Sequence, residues 1–347
     1  MSPRRFFILA LTLALALVAG TYGLAWWLQP VYGDLTRIGG HAERDFGWNQ
    51  PMLEFEPLLA TFGAWEHPVD VLVLGDSFAN LRPGQQWQNW LAARTGWRIH
   101  TLDKHRVAID ELLAGDLFRK HPPRLVIWNN IERDLKAEYS AVGTDCDPPI
   151  ARDVEPLGIE PGEASPHSVH RTYEISAINP GFARRWLLKS LQHTFVRDLD
   201  DSLRLSLVRS DLFSNRLAGE ILLYRRDLVR SDWTSSDLAR IRCGYASLAS
   251  RFEANGVTRF VTALAPDKSS AYQPWLARRG NLPGSRLPDL LASFPVPDAR
   301  LDVALSRAIA KGERDVYLPN DTHWGSAGHR LAAEAILAML TAEGLTR

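Results

Sequence analysis

The chain opens with an unbroken apolar run from Phe6 to Leu28, preceded by Arg4 and Arg5. The run carries no charge and exceeds the roughly 20 apolar residues that a helix needs to cross a bilayer. Positive charge before it and none directly after it places the N-terminus in the cytoplasm. Trp26 and Trp27 close the run where an interfacial aromatic belt would sit. A cleaved signal peptide has a shorter apolar core and a small-x-small site. Val18-Ala19-Gly20 and Gly23-Leu24-Ala25 meet that pattern imperfectly, so an uncleaved single-pass anchor over residues 1–28 is the favoured reading. On either reading the remaining chain lies outside the cytoplasm, on the periplasmic face of an inner membrane.

After a mixed, aromatic stretch at 29–66, read as a stalk, the pattern changes. Val69-Asp70-Val71-Leu72-Val73-Leu74 is a short β-branched apolar run ending at a glycine, which suits a fully buried parallel strand. Gln85 to Thr95 has helical spacing, with Trp87, Trp90, Leu91 and Arg94 at steps of three and four. A second strand is expected over Trp97 to Leu102, a second helix over Asp110 to Arg119, and a third strand over Leu125-Val126-Ile127-Trp128. This alternation predicts a doubly wound, mostly parallel α/β sheet, a three-layer sandwich. From 137 to 233 the rhythm breaks: Asp147 to Ser168 is rich in proline, glycine and acidic residues, and Arg184 to Arg230 is more basic with helical spacing. That section reads as a helical and loop insertion into a domain spanning 67–347. Alternation then returns, with a helix over Ser235 to Asn255 stopped by Gly256 and a strand over Thr258 to Leu264. A helix around Leu301 to Ile309, an extended piece Val316-Tyr317-Leu318 and a final helix over Ser326 to Leu340 complete the domain.

Composition narrows the partners. The 347 residues contain 40 Lys+Arg against 40 Asp+Glu, so no global field argues for nucleic acid. Twelve tryptophans suit core burial, the membrane interface and stacking against sugar faces. The only cysteines, Cys146 and Cys243, fall in the exported portion, where they form either one disulfide or two buried thiols. Neither has the neighbouring ligands of a zinc site. No metal and no cofactor is expected.

Two motifs carry chemistry. Gly75-Asp76-Ser77-Phe78 follows the first buried strand, and in open α/β sheets the loops at the carboxyl ends of strands hold the ligand. A serine there stands at the mouth of the sheet, with backbone N–H groups nearby to receive an oxyanion. At the far end, Asn320-Asp321-Thr322-His323-Trp324 precedes the final helix. A serine hydroxyl needs a base, and histidine is the usual one. Asp321, two residues before His323, is placed to orient the imidazole and stabilise its cation. In an extended segment residues two apart point the same way. His105, His121, His167 and His193 have no partners in sequence and read as solvated or incidental.

Together, Gly75-Asp76-Ser77 near the start and Asp-x-His near the end resemble the SGNH hydrolase superfamily. Asp321-Thr322-His323-Trp324 resembles its alginate O-acetyltransferase branch, of the AlgX and AlgJ type. Ordinary SGNH esterases place the aspartate three before the histidine; here the gap is two. Leu125 to Arg133 resembles that branch's strand ending in Glu-Arg, and Ala265-Pro266-Asp267-Lys268 to Tyr272 its Pro-x-Lys…Tyr segment. The alginate enzymes carry Asp-x-His-Trp before the serine motif, whereas this chain has the common SGNH order, which leaves the polymer open.

The resemblance implies acyl transfer through an acetyl-serine on Ser77, with His323 as base and Asp321 as orienter. It also suggests Asp76, Asn129, Asn130, Arg133, Lys268, Tyr272 and Trp324 as oxyanion or substrate groups. Asn129 or Asn130 is the expected side-chain oxyanion donor, Glu132 and Arg133 a structural pair, and Lys268 and Tyr272 either groove-lining or an exposed loop. The acceptor would be a polysaccharide, and the donor would arrive through a membrane-bound O-acyltransferase. The alternatives are a carbohydrate acetylesterase with the same three residues and a non-catalytic polysaccharide-binding scaffold.

Overall fold

A computed structural model describes residues 2–28, 33–147, 149, 154–170, 179–195, 201–277 and 284–347, without the side chains of 192–195 and 229–232. Five parallel strands form the central sheet: β1 (Thr61–Phe62), β2 (Val71–Gly75), β3 (Ile99–Asp103), β4 (Leu125–Ile131) and β5 (Arg259–Ala265). Their spatial order is β1-β3-β2-β4-β5. β2 is buried along its whole length. Its apolar run therefore serves two cores at once, because successive side chains leave a strand on opposite faces. Val71 and Val73 join Ile127 and Val261 on one side, where they meet Trp87, Leu305, Ile309 and Ile336. Leu72 and Leu74 join Val126 and Trp128 on the other, where they meet Phe118, Ile241, Tyr245 and Phe252.

The helices supplying these contacts are close to those read from the pattern: Trp87–Thr95, Ser235–Phe252, Leu301–Ala310 and Ser326–Ala342. A capping box starts the second, with Thr234 accepting from the Asp237 N–H and the Asp237 carboxylate accepting from Thr234. The helix expected over 110–119 is instead two short helices, Ile109–Ala114 and Asp116–Lys120, meeting at Gly115.

The chain leaves β2 toward β3 on one side and returns over it to β4 on the other. The crevice where connections diverge thus opens at the carboxyl end of β2, the place where such sheets hold ligands. Ser77 follows that end directly.

Two expectations need correction. The stretch 29–66 is not a free stalk over its described part. Thr61–Phe62 is an edge strand of the sheet, and Leu35, Glu43 and Phe46 are buried. Its aromatic and apolar residues pack into the domain, which a detached stalk would leave in water. Within 137–233, the described part of the basic stretch is α-helical over Pro180–Phe195 and 3-10 helical over Arg225–Asp232. Ser202–Ser206 and Glu220–Tyr224 form an antiparallel hairpin, with Leu203 opposite Leu223 and Leu205 opposite Ile221. His167–Val169 likewise pairs with Met52–Glu54. The apolar positions of the hairpin also fit a helical period, and pairing against a partner strand decided the outcome.

Cys146 and Cys243 are joined in a disulfide spanning 97 positions, which fastens the start of the insertion to the helix Ser235–Phe252. Closing so long a loop restricts the unfolded chain strongly. Cys146→Ser with Cys243→Ser is expected to lower unfolding free energy by about 2–4 kcal/mol, read from the denaturant midpoint of oxidised wild type against the double variant.

Candidate active site

The nucleophile loop is built at the tip of β2. A Cβ on Gly75 would lie 2.5 Å from the Cβ of Ala79 and 3.3 Å from that of Asn129, so only glycine lets the chain turn there. Asp76 caps the short helix Ser77–Asn80: its Oδ1 accepts from the Phe78 N–H at 2.8 Å. Its Oδ2 accepts from the Ile131 N–H at 2.8 Å. Asp76 therefore ties the serine turn to the end of β4, and it also lines the cavity beside Ser77. Burial raises its pKa, against the charges of Lys104 and Arg133 and the two N–H donors. The Asn80 amide braces the same turn by donating to the Gly75 and Asp76 carbonyls at 2.8 and 3.1 Å. Ser77 itself is exposed.

The histidine loop meets this turn from 246 positions away. His323 Nε2 lies 2.7 Å from Ser77 Oγ, and its Nδ1 lies 2.6 Å from Asp321 Oδ1. Asp321 Oδ1 also accepts from the His323 backbone N–H at 3.0 Å, which fixes the carboxylate beside the ring. Nδ1–H donating to Asp321 leaves Nε2 with a lone pair toward the serine proton. Burial alone would depress the His323 pKa, but the hydrogen bond and charge of Asp321, then Asp34, hold it above its ordinary 6.5. Asp321 is correspondingly held far below the usual carboxylate range, its burial outweighed by the bond to His323. Phe78 lies against the His323 ring at 4.9 Å between centroids, and Trp324 stands edge-on to Phe78 at 4.9 Å. Trp324 is buried, so it is a wall behind Phe78 rather than a sugar platform.

Sequence reasoning missed Asp34. It lies in the stretch read as a stalk, where nothing local marks a lone aspartate. Its Oδ1 accepts from the Thr322 N–H at 2.9 Å, its Oδ2 accepts from the Thr322 hydroxyl at 2.5 Å, and it stands 3.8 Å from His323 Nδ1. Burial and the neighbouring Asp321 raise its pKa. The docking is close: a Cβ on Gly33 would lie 1.9 Å from the Asn320 carbonyl oxygen. Glu43, fully buried, accepts from the Gly33 N–H at 2.9 Å and from the Asn320 amide at 2.9 Å. His105, read as incidental, lines a cavity of about 310 Å³ together with Ser77, Asn80, Leu81, Asp103 and Asp134.

Four of the other expected site residues take different roles. Asn130 points to the opposite face of β4, where its amide donates to Glu138 at 2.6 Å and the Tyr245 hydroxyl at 3.3 Å. Asn129 sits on the serine side, but its amide donates to the Ala263 carbonyl at 2.7 Å. Neither is aimed as an oxyanion donor. Tyr272 is core, stacked on Phe213 at 4.8 Å, with its hydroxyl near the Tyr317 N–H. Lys268 is buried, neither groove-lining nor exposed. Its Nζ donates to the carbonyls of Leu318, Pro319 and Asp321 at 2.7, 3.0 and 3.1 Å. Burial draws its pKa down to about 7.

Arg133 approaches the site, with its guanidinium 5.9 Å from the Phe78 ring. It pairs with Asp267 at 3.1 Å and Asp227 at 3.4 Å. Burial opposes its charge, and those two carboxylates outweigh it. Glu132 accepts from the Asp267 N–H at 3.0 Å and the Ser285 hydroxyl at 2.6 Å, so both neighbours meet on Asp267, Glu132 at its N–H and Arg133 at its carboxylate.

A parallel sheet with Ser, His and Asp converging at one strand tip is the arrangement of an SGNH hydrolase-like domain. Comparison with known families gives the same class: residues 222–346 match the model of an SGNH hydrolase-like domain, acetyltransferase AlgX. The resemblance to the AlgX-like family is thus borne out over the part that carries Lys268, Asp321 and His323. No curated protein and no solved structure matches the chain.

Two outcomes follow from this geometry. Acylation needs neutral His323, so ester cleavage should rise with pH through a midpoint above 6.5. In Asp321→Asn the midpoint moves to lower pH while the plateau rate falls roughly 10⁴-fold, both read from a pH–rate profile. Lys268→Met leaves three carbonyls without their donor and should lower stability by about 1–3 kcal/mol. In wild type the unfolded chain keeps that proton to about 10.5 and the folded chain releases it near about 7. Unfolding free energy therefore gains an upward slope with pH between these values, and the Met variant lacks that increment.

Proposed function

We propose that this chain is an extracytoplasmic polysaccharide O-acetyltransferase, its domain a doubly wound SGNH sandwich. It works through an acetyl-serine on Ser77, with His323 as general base and Asp321 as its orienter. The observation that carries the reading is the 2.7 Å approach of His323 Nε2 to the exposed Ser77 hydroxyl, with Asp321 on the other ring nitrogen. The AlgX-like match over 222–346 supports the same chemistry.

In the first half-reaction Ser77 Oγ attacks the acetyl carbonyl while its proton passes to His323 Nε2. The tetrahedral oxyanion collapses, the donor's leaving group departs with that proton, and acetyl-Ser77 remains. A sugar hydroxyl then attacks the ester carbonyl, giving its proton to the same nitrogen. Collapse breaks the bond to Ser77 Oγ, which recovers the proton, and the acetyl group stays on the sugar. The Ser77 backbone N–H, at the head of its short helix, would serve as an oxyanion donor, since the amides of Asn129 and Asn130 are engaged elsewhere.

A membrane source for the acetyl donor fits the placement of the site. The helix Pro3–Leu28 is long and apolar enough to span a bilayer. Asp34 follows Leu28 by six residues, a reach of no more than about 22 Å even when extended. Asp34 also binds the loop that carries the histidine. The triad therefore stands close above the membrane, where a multispanning O-acyltransferase would present its acetyl group. The tether raises the effective concentration of the pair.

The exposure of Ser77 favours hydrolysis as the second reading, because water reaches the same ester. Brief incubation of the protein with a chromogenic acetyl ester, followed by peptide mass spectrometry, should show one acetyl group on Ser77. It should be absent in Ser77→Ala and His323→Ala. Adding an oligosaccharide acceptor should move acetyl to sugar faster than to water. Release of acetate alone would make the protein an esterase, and no adduct in any form would remove the enzymatic reading.

A further inference from the structure

Outside the triad, the feature that the proposed function leaves unused is the helix Pro180–Phe195. Its two faces are different. Phe182, Ala183 and Trp186 pack against Leu24, Ala25 and Leu28 at the end of the N-terminal helix. The other face turns Leu187, Leu188 and Leu191 outward, at 48, 53 and 53 % exposure. These three sit at i, i+1 and i+4, so they form one apolar stripe on a helix. Arg184 continues the stripe one turn toward the N-terminus and Arg185 lies beside it, both exposed.

The neighbour decides what covers the stripe. The N-terminal helix exposes Phe6, Leu9, Leu13 and Leu17, as a lipid-facing segment does, and Trp26 at 68 % and Trp27 at 56 % close its far end. The helix Pro180–Phe195 is fastened to this closing stretch, at the level where the spanning segment leaves the bilayer. An apolar stripe continuous with a lipid-facing surface, with arginines at one end, is the pattern of a helix lying in the interfacial layer. Long arginine side chains there keep their stems along the acyl boundary and their charges at headgroup phosphates.

We propose that the helix Pro180–Phe195 is a second membrane contact. It seats Leu187, Leu188 and Leu191 in the outer interfacial layer of the bilayer, with Arg184 and Arg185 at its phosphates. This rests on the reading of Pro3–Leu28 as a membrane-spanning segment. A single spanning helix leaves a domain free to swivel about its joint, whereas two contacts hold it in one orientation. The Ser77 cleft then keeps a constant aspect toward the membrane.

The test uses the full chain reconstituted in phosphatidylcholine and phosphatidylglycerol bilayers. The two native cysteines are bonded to each other, so an introduced cysteine is the sole free thiol for a nitroxide label. Three labelled variants are compared: Leu188→Cys, Leu13→Cys in the spanning segment, and Val257→Cys on the exposed domain surface. Collision rates with oxygen, which concentrates in lipid, are set against those with a water-soluble nickel chelate. The expected result is an oxygen excess at 188 as well as at 13, with a nickel excess at 257. A label at 188 that behaves like 257 while 13 stays in lipid overturns this proposal and leaves the anchor reading standing. A nickel excess at 13 removes the anchor reading and the proposal with it.

Discussion

Everything at the candidate site depends on how the segment Leu318–His323 is gripped. The segment is short and carries two of the three reacting-site groups. It is held from three directions by parts of the chain remote in sequence. Lys268 donates to three of its carbonyls from beneath. Asp34 binds Thr322 and Glu43 binds Asn320 from the N-terminal side. Trp324 closes the far side by packing edge-on to Phe78, the residue directly after the serine. A side chain only 2.7 Å from its partner tolerates little drift, and a loop without such fastening would drift.

The grip concentrates charge, and its electrostatics sort the groups into distinct states. Asp321 and Asp34 both face His323 Nδ1, yet they do not share it equally. Asp321 takes the hydrogen bond and stays ionised, while burial and repulsion from Asp321 raise Asp34. His323 is thereby poised to accept a proton, whereas His329, buried behind Trp324, is drawn down to about 3 by burial and by His323. Two histidines six positions apart thus have opposite tendencies. The difference comes from the Asp321 and Asp34 carboxylates at one ring, and from burial beside the charges of His323 and Arg82 at the other.

The same grip links the segment after the N-terminal apolar helix to the candidate site. From Gly33 on, the described residues after the apolar helix do not trail away as a tether. They pass under the histidine loop and supply Gly33, Asp34 and Glu43 to it before the chain enters the sheet. In sequence, Gly33 and Asp34 follow the apolar helix by a few residues; in space, they stand at the loop that carries His323. That proximity would suit the proposed enzyme, whose acyl donor would come from the membrane, with the helix Pro180–Phe195 steadying the joint.

Much of this was legible in the one-dimensional pattern. A continuous β-branched run ending in Gly-Asp-Ser identifies a buried parallel strand and a serine at its tip, because only a strand covered on both faces needs side chains apolar on both. Asp321-Thr322-His323-Trp324 identifies a base and its orienter, because two residues apart on an extended segment share a side. What sequence could not give is which distant groups fill the gaps around such motifs. Asp34 and Glu43 stand in a stretch with no regular period, Lys268 resembles a groove residue until its three carbonyls are seen, and Asn130 leaves its expected role because strand alternation turns it away from Asn129. Those assignments depend on the packing of segments separated by hundreds of positions, which local spacing does not encode. The sequence by itself determined the chemistry available; tertiary contact decided which groups meet at the Ser77 and His323 pair and which only hold the loop around it, because those contacts join segments hundreds of positions apart.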